Sequence, residues 1–191
     1  AIQNVFRNEK SGNARFREFT QADCDIVGSV NSAQANAELC SLVASTLIEC
    51  GLNKDQFTLN VSNRKIIQGL IEDLKIPENK KIKVMRAIDK LDKPDFGFKG
   101  VEELLKKERK DKSGAITKGA DLSNDQASKI LDFLKIRDLK ELKKNFKNFL
   151  TQEGIKELEE FFKILSFGSY FDQVKTNFTI VRGLDYYDGF C

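Results

Sequence analysis

Arg15-Phe-Arg-Glu-Phe-Thr-Gln-Ala-Asp-Cys-Asp-Ile26 alternates between two kinds of side chain, residue by residue, as a β-strand does. The odd positions put Arg15, Arg17, Phe19, Gln21, Asp23 and Asp25 on one side. The even positions, Phe16, Glu18, Thr20, Ala22, Cys24 and Ile26, are mostly apolar or small and form the other. A solvated face would also be polar. This row, however, mixes guanidinium groups, an aromatic ring, a carboxamide and acids, and holds neither Lys nor Glu, the residues that usually meet solvent. The reading is a sheet strand whose polar side lines a binding site.

Outward from that strand, Leu39, Leu42, Val43, Leu47 and Cys50 recur at helical spacing, with Gly51 as a C-terminal stop. Phe57-Thr-Leu-Asn-Val61 then alternates as a short strand. From residue 63 to residue 168 the chain becomes Lys-rich and helical, with almost no strand signal. Ile66, Ile67, Leu70, Ile71 and Leu74 form one stripe, and Ile82, Met85, Ile88 and Leu91 another, opened by Pro77 and closed by Pro94. Val101, Leu104 and Leu105 give a third. A capping box from Ser123 to Gln126 introduces Ala127, Ile130, Leu131 and Leu134. Leu139, Leu142, Phe146 and Phe149, then Ile155, Leu158, Phe161, Phe162 and Leu165, complete the set. Strand signals return at Val174 to Ile180 and Val181 to Tyr187. The expected fold is α+β: a sheet domain from residues 1–62 and 169–191, interrupted by a helical subdomain over 63–168.

The chain has 191 residues, 32 Lys+Arg against 29 Asp+Glu, four Cys and no His. That is a globular composition. Without histidine, a Ser-His-Asp triad, a Cys-His pair and HExxH zinc chemistry are all excluded within this sequence. A net charge of +3 does not by itself announce nucleic-acid binding. The Lys runs at Lys106 to Lys112 and Lys140 to Lys147 alternate with acids and read as solvated faces. Lys112-Ser-Gly-Ala-Ile-Thr-Lys-Gly-Ala120 lacks Walker A spacing and reads as a connector. Cys24, Cys40, Cys50 and Cys191 show no CxxC spacing, which suits reduced thiols in a cytoplasmic protein. No stretch approaches a membrane span, and the N-terminus has no signal-peptide pattern. With no initiator Met at the start and an end just after a double tyrosine, the sequence reads as the middle of a longer protein.

The unusual polar groups lie in two distant segments, Arg7 to Asp25 and Arg182 to Tyr187. Arg7, Arg15 and Arg17 suit a polyphosphate. Phe19 between them offers a stacking face for a base. Gln21 and Asp25 offer hydrogen bonds to an amine or ring nitrogen, with Tyr187 closing the pocket. The residues alone therefore point to an anionic nucleotide at one end and a small cationic or amphoteric ligand at the other.

Val5-Phe-Arg-Asn-Glu9 followed by Arg15-Phe-Arg-Glu-Phe-Thr-Gln-Ala-Asp-Cys-Asp25 resembles motif 2 of a class II aminoacyl-tRNA synthetase. Its form is that typical of histidyl-tRNA synthetases. Ile180-Val-Arg-Gly-Leu-Asp-Tyr-Tyr187 is similar to that family's histidine-specific signature. Val84 to Lys93 and Lys110 to Gly119 look like the insertion of its bacterial members.

The resemblance implies a partial class II antiparallel sheet with flanking helices plus an inserted all-helical subdomain. It also implies activation of histidine with ATP, with Mg2+, and transfer to tRNA(His). Arg7 would hold the α-phosphate of ATP and Glu9 would read the adenine amino group. Arg15 would reach the terminal phosphates and Phe19 would stack on adenine. Gln21 would contact the α-amino group and phosphate region. Asp25 and Tyr187, with Tyr186 nearby, would bracket the imidazole. Arg182 would stabilise charge at the carboxylate and α-phosphate, so Arg7, Gln21 and Arg182 are the expected catalytic set. No metal ligand from protein side chains is identified.

The loop Ser11-Gly-Asn-Ala-Arg15 departs from the family's usual Lys-Gly or Arg-Gly before the arginine. Motif 1, motif 3 and the anticodon-binding domain have no counterpart in the sequence. The expectation is a central fragment of the catalytic domain, inactive alone, from a protein that is a homodimer at full length. Two rivals are the synthetase-like regulatory subunit of ATP phosphoribosyltransferase and a helical RNA-binding module formed by residues 63–168. The first generally degrades the pocket signatures, which are intact here.

Overall fold

The structure is a computed structural model, and it describes residues 1–8, 12, 15–28, 31–110, 116–181 and 189–191. The architecture is α+β. Strand β1 (Ile2–Phe6) pairs antiparallel with β2 (Glu18–Ala22), with Val5 opposite Phe19 and Gln3 opposite Gln21. Helix α1 (Ser32–Glu49) follows, started by the Asn31 side chain, which accepts from the Gln34 amide at 2.9 Å. Strand β3 (Leu59–Val61) pairs in parallel with the later β6 (Val174–Thr176). Between them lie α2 (Arg64–Asp73), α3 (Glu78–Ile88), α4 (Gly97–Lys106), the hairpin β4 (Arg109–Lys110) and β5 (Ile116–Thr117), α5 (Asn124–Phe133), α6 (Leu139–Asn145) and α7 (Phe149–Leu165).

Helices α2 and α7 cross at glycines. A Cβ on Gly69 would run into the Thr151 side chain, and one on Gly154 would lie 2.9 Å from Ile66 Cγ1. The two backbones therefore approach closely, and α1 packs on the same α7. One contiguous core joins these helices to α3, α4, α5 and the β3–β6 pair, running from Ala33 through Leu104, Ile130 and Phe161 to Val181. Phe161 meets Phe190 at 4.6 Å between ring centroids, and Phe133 meets Phe146 edge-on at 5.5 Å.

The α5 capping box is formed as read from the sequence, and Pro77 is the residue that caps α3. Four readings change. The buried side of α1 is Ala33, Ala37 and Ala44, whereas Leu42 and Val43 of the apolar stripe are exposed. Small residues let α1 lie close to α7, and the helical period fits either side. The strand expected from Val174 to Ile180 ends at Thr176. There the Asn177 side chain accepts from the Thr179 amide and hydroxyl and turns the backbone. The strand expected from Phe57 begins at Leu59. The connector before Ala120 contains one arm of the two-residue hairpin β4–β5, too short for a period to register.

Candidate functional site

The β1–β2 hairpin sets its side chains by register. Because Val5 faces Phe19, the next residue on that side of β1, Arg7, reaches the same face, and its amide donates to the Arg17 carbonyl at 2.8 Å. The Arg7 guanidinium lies 5.2 Å from the centroid of the Phe19 ring and donates to Gln21 Oε1 at 3.0 Å. Gln21 Nε2 in turn donates to Asp23 Oδ2 at 3.0 Å. A cation, a ring, a carboxamide and an acid thus form one connected row. Phe19, Gln21 and Asp23 are half-buried, whereas the opposite face, with Ile2, Phe6 and Phe16, is exposed.

Of the expected site residues, Arg7, Phe19 and Gln21 are brought together. Arg15 is exposed at the loop end of the hairpin, where it exchanges backbone hydrogen bonds with Gly12 at 3.0 and 3.1 Å. Asp25 is exposed beyond the end of β2, outside the row. Glu9, Arg182, Tyr186 and Tyr187 lie outside the described residues. The described residues on either side of the last three are firmly seated. Val181 is buried, and Ser62 and Cys191 exchange backbone hydrogen bonds at 2.6 and 2.8 Å. Asp23 is the participant that sequence reasoning placed on the right face without assigning it a part. Its signal was the same odd-position alternation that selected Gln21.

Chemically, the row fits an anionic, planar ligand. The guanidinium offers donors to phosphate oxygens, the ring offers a stacking surface, and the carboxamide offers both a donor and an acceptor. Among the described residues, no group of three His, Cys, Asp or Glu side chains stands where it could hold a metal ion. No helix among them is long and apolar enough to cross a membrane.

Solved structures share this fold. The chain superposes on the histidyl-tRNA synthetase of Nostoc sp. PCC 7120 with a TM-score of 0.75 and 27% identity, covering 99% of this chain and 41% of that one. It also superposes on a Bacillus halodurans protein described as an ATP phosphoribosyltransferase regulatory subunit/histidyl-tRNA synthetase. There the TM-score is 0.72 at 18% identity, over 99% of this chain and 45% of the other, a likeness that speaks to the fold alone. A family model described as histidyl-tRNA synthetase matches residues 2–191. The chain belongs to the histidyl-tRNA synthetase family. It is 72% identical over 188 residues to the histidine–tRNA ligase of Pelagibacter ubique and 42% identical over 196 residues to that of Bartonella bacilliformis. These alignments cover 98% and 97% of this chain but 40% and 39% of the relatives, so the chain spans about two fifths of their length.

Proposed function

We propose that the chain is the central part of the catalytic unit of a histidine–tRNA ligase, a cytoplasmic enzyme that is a homodimer at full length. It activates histidine with ATP and passes the product to tRNA(His). The observation that carries the reading is the joining of Arg7, Phe19 and Gln21 on one hairpin face.

In this reading, a histidine carboxylate oxygen attacks the α-phosphorus of ATP, and the bond to the bridging oxygen of pyrophosphate breaks. Negative charge grows on the α-phosphate oxygens, where Arg7 and Arg182 supply fixed positive charge and no protein base is needed. Phe19 carries the adenine, Glu9 reads its amino group, and Arg15 holds the terminal phosphates. Gln21 orients the α-amino group. Asp25 and Tyr187, with Tyr186 beside them, bracket the two imidazole nitrogens, a pattern that other amino acids do not satisfy. Mg2+, which no described side chain is assigned to hold, would supply further positive charge at the phosphates of the nucleotide.

Residues 1–62 and 169–191 belong to the catalytic core, and 63–168 form the insertion that approaches the tRNA acceptor arm. A chain of this extent alone is expected to turn over far less than a protein of the relatives' length.

The test is charging of bulk tRNA by the complete protein carrying this segment, amino acid by amino acid. Charging with histidine alone, abolished by Arg182→Ala, supports the reading. Charging with another amino acid, or none from a folded protein, overturns it and favours a regulatory role.

A further inference from the structure

The carboxamide of Gln21 sits between two groups of opposite hydrogen-bonding capacity. On one side the Arg7 guanidinium, which can only donate, gives a hydrogen bond to Gln21 Oε1 at 3.0 Å. On the other, an oxygen of the Asp23 carboxylate, which can only accept, takes one from Gln21 Nε2 at 3.0 Å. A carboxamide turned end for end would set its oxygen against a carboxylate and its amino group against a guanidinium. One orientation alone therefore satisfies both neighbours.

The backbone seats Asp23 for this contact. It follows Gln21 by two residues, and alternation of side chains along an extended chain puts the two on the same side. The Asp23 amide donates to the Ala1 carbonyl at 2.9 Å, one step past the pairing of Ala22 with Ile2, so the hairpin register extends to this residue. Both side chains are half-buried, and water competes for their bond less than it would on an open surface.

The two partners of Gln21 are not equivalent once substrates are bound. In the proposed function Arg7 gives donors to the α-phosphate of ATP, so its hold on Oε1 is shared with the nucleotide. Asp23 has no such second task. The α-amino group of a free amino acid near neutral pH is an ammonium, which can only donate, and it must meet the carboxamide through the oxygen. We infer that Asp23 is a positioning residue for amino-acid binding: by holding Gln21 Nε2 it keeps Oε1 turned toward the substrate's ammonium group. This inference rests on the proposed function and deepens it, giving a part to an acid that stands outside the set of Arg7, Gln21 and Arg182.

The experiment measures histidine-dependent ATP–pyrophosphate exchange by the complete protein that carries this chain, with histidine and ATP varied in turn. Asp23→Ala removes the acceptor. It is expected to raise KM for histidine about tenfold, while KM for ATP stays within about twofold and kcat within about threefold. Asp23→Asn keeps an acceptor oxygen in the same shape without the charge, and is expected to hold KM for histidine within about threefold of the unaltered enzyme. A residue that only supported the hairpin would move both KM values together. An unchanged KM for histidine in Asp23→Ala, equal rises in both KM values, or an Asp23→Asn variant as damaged as Asp23→Ala overturns the inference. If Asp23→Ala melts early, Asp23→Leu, which keeps the bulk and cannot accept, gives the same comparison.

The two readings fail in different ways. Histidine exchange that is present in the unaltered protein and ignores Asp23→Ala sinks this inference alone. No exchange with any amino acid from the folded, unaltered protein sinks the proposed function, and this inference with it.

Discussion

Arg7 and Gln21 are joined across the β1–β2 hairpin by a 3.0 Å hydrogen bond from guanidinium to carboxamide, while the same guanidinium lies over Phe19. A lysine at this position keeps the charge but loses the planar fork that serves both contacts at once. Arg7→Lys is expected to lower kcat/KM for ATP in pyrophosphate exchange roughly a hundredfold in the complete protein. A value within threefold of the unaltered enzyme contradicts the part given to this row.

Stability should hinge on the α2–α7 crossing. Gly69→Ala drives a methyl group into Thr151 and is expected to cost about 1–3 kcal/mol in a urea melt. Gly12, which has nothing within 4 Å of a built Cβ, is the matched control, and Gly12→Ala should leave the midpoint nearly unchanged.

Much of the helical region was legible because its signals are local. The α5 capping box needs only Ser123 and Gln126, and the α2 and α7 stripes repeat over several turns. The site was legible as a face, since the period of β2 put Phe19, Gln21 and Asp23 together. It was not legible as a network, because Arg7 joins through the pairing register of Val5 with Phe19. The buried side of α1 was missed because alanines carry little hydropathy signal. What decides burial there is the close approach of α7, a tertiary fact.

The four thiols should separate by reactivity. Partial burial pushes Cys40 and Cys191 up to about 11, above the ordinary thiol value of 9.0, while Cys24 and Cys50 are exposed. Near pH 8 the two half-buried groups hold roughly a hundredfold less thiolate than unperturbed thiols. Iodoacetamide followed by peptide mass mapping should show Cys24 and Cys50 modified well before Cys40 and Cys191. Equal rates in the folded protein would count against this packing.

Lys65 is held by Glu153 at 2.7 Å and Glu157 at 2.5 Å, and hydrogen bonding to these carboxylates raises its ammonium above the usual lysine value. A raised value means the folded state keeps the proton more tightly than the unfolded chain. The stabilisation is therefore complete below about pH 10 and is lost as pH rises through the folded value. Lys65→Met should flatten the alkaline fall of thermal stability relative to the unaltered chain, with little change in its shape between pH 6 and pH 9. An identical alkaline fall in both proteins would remove Lys65 as its source.

The central claim, that Arg7, Phe19 and Gln21 belong to a histidine-activating site, is met most directly by amino-acid-dependent ATP–pyrophosphate exchange in the complete protein that carries this chain. The expected result is exchange with histidine and no other amino acid, reduced at least a hundredfold by Arg7→Ala and by Gln21→Ala. Exchange that is absent from a folded protein, or that survives both substitutions, would contradict it.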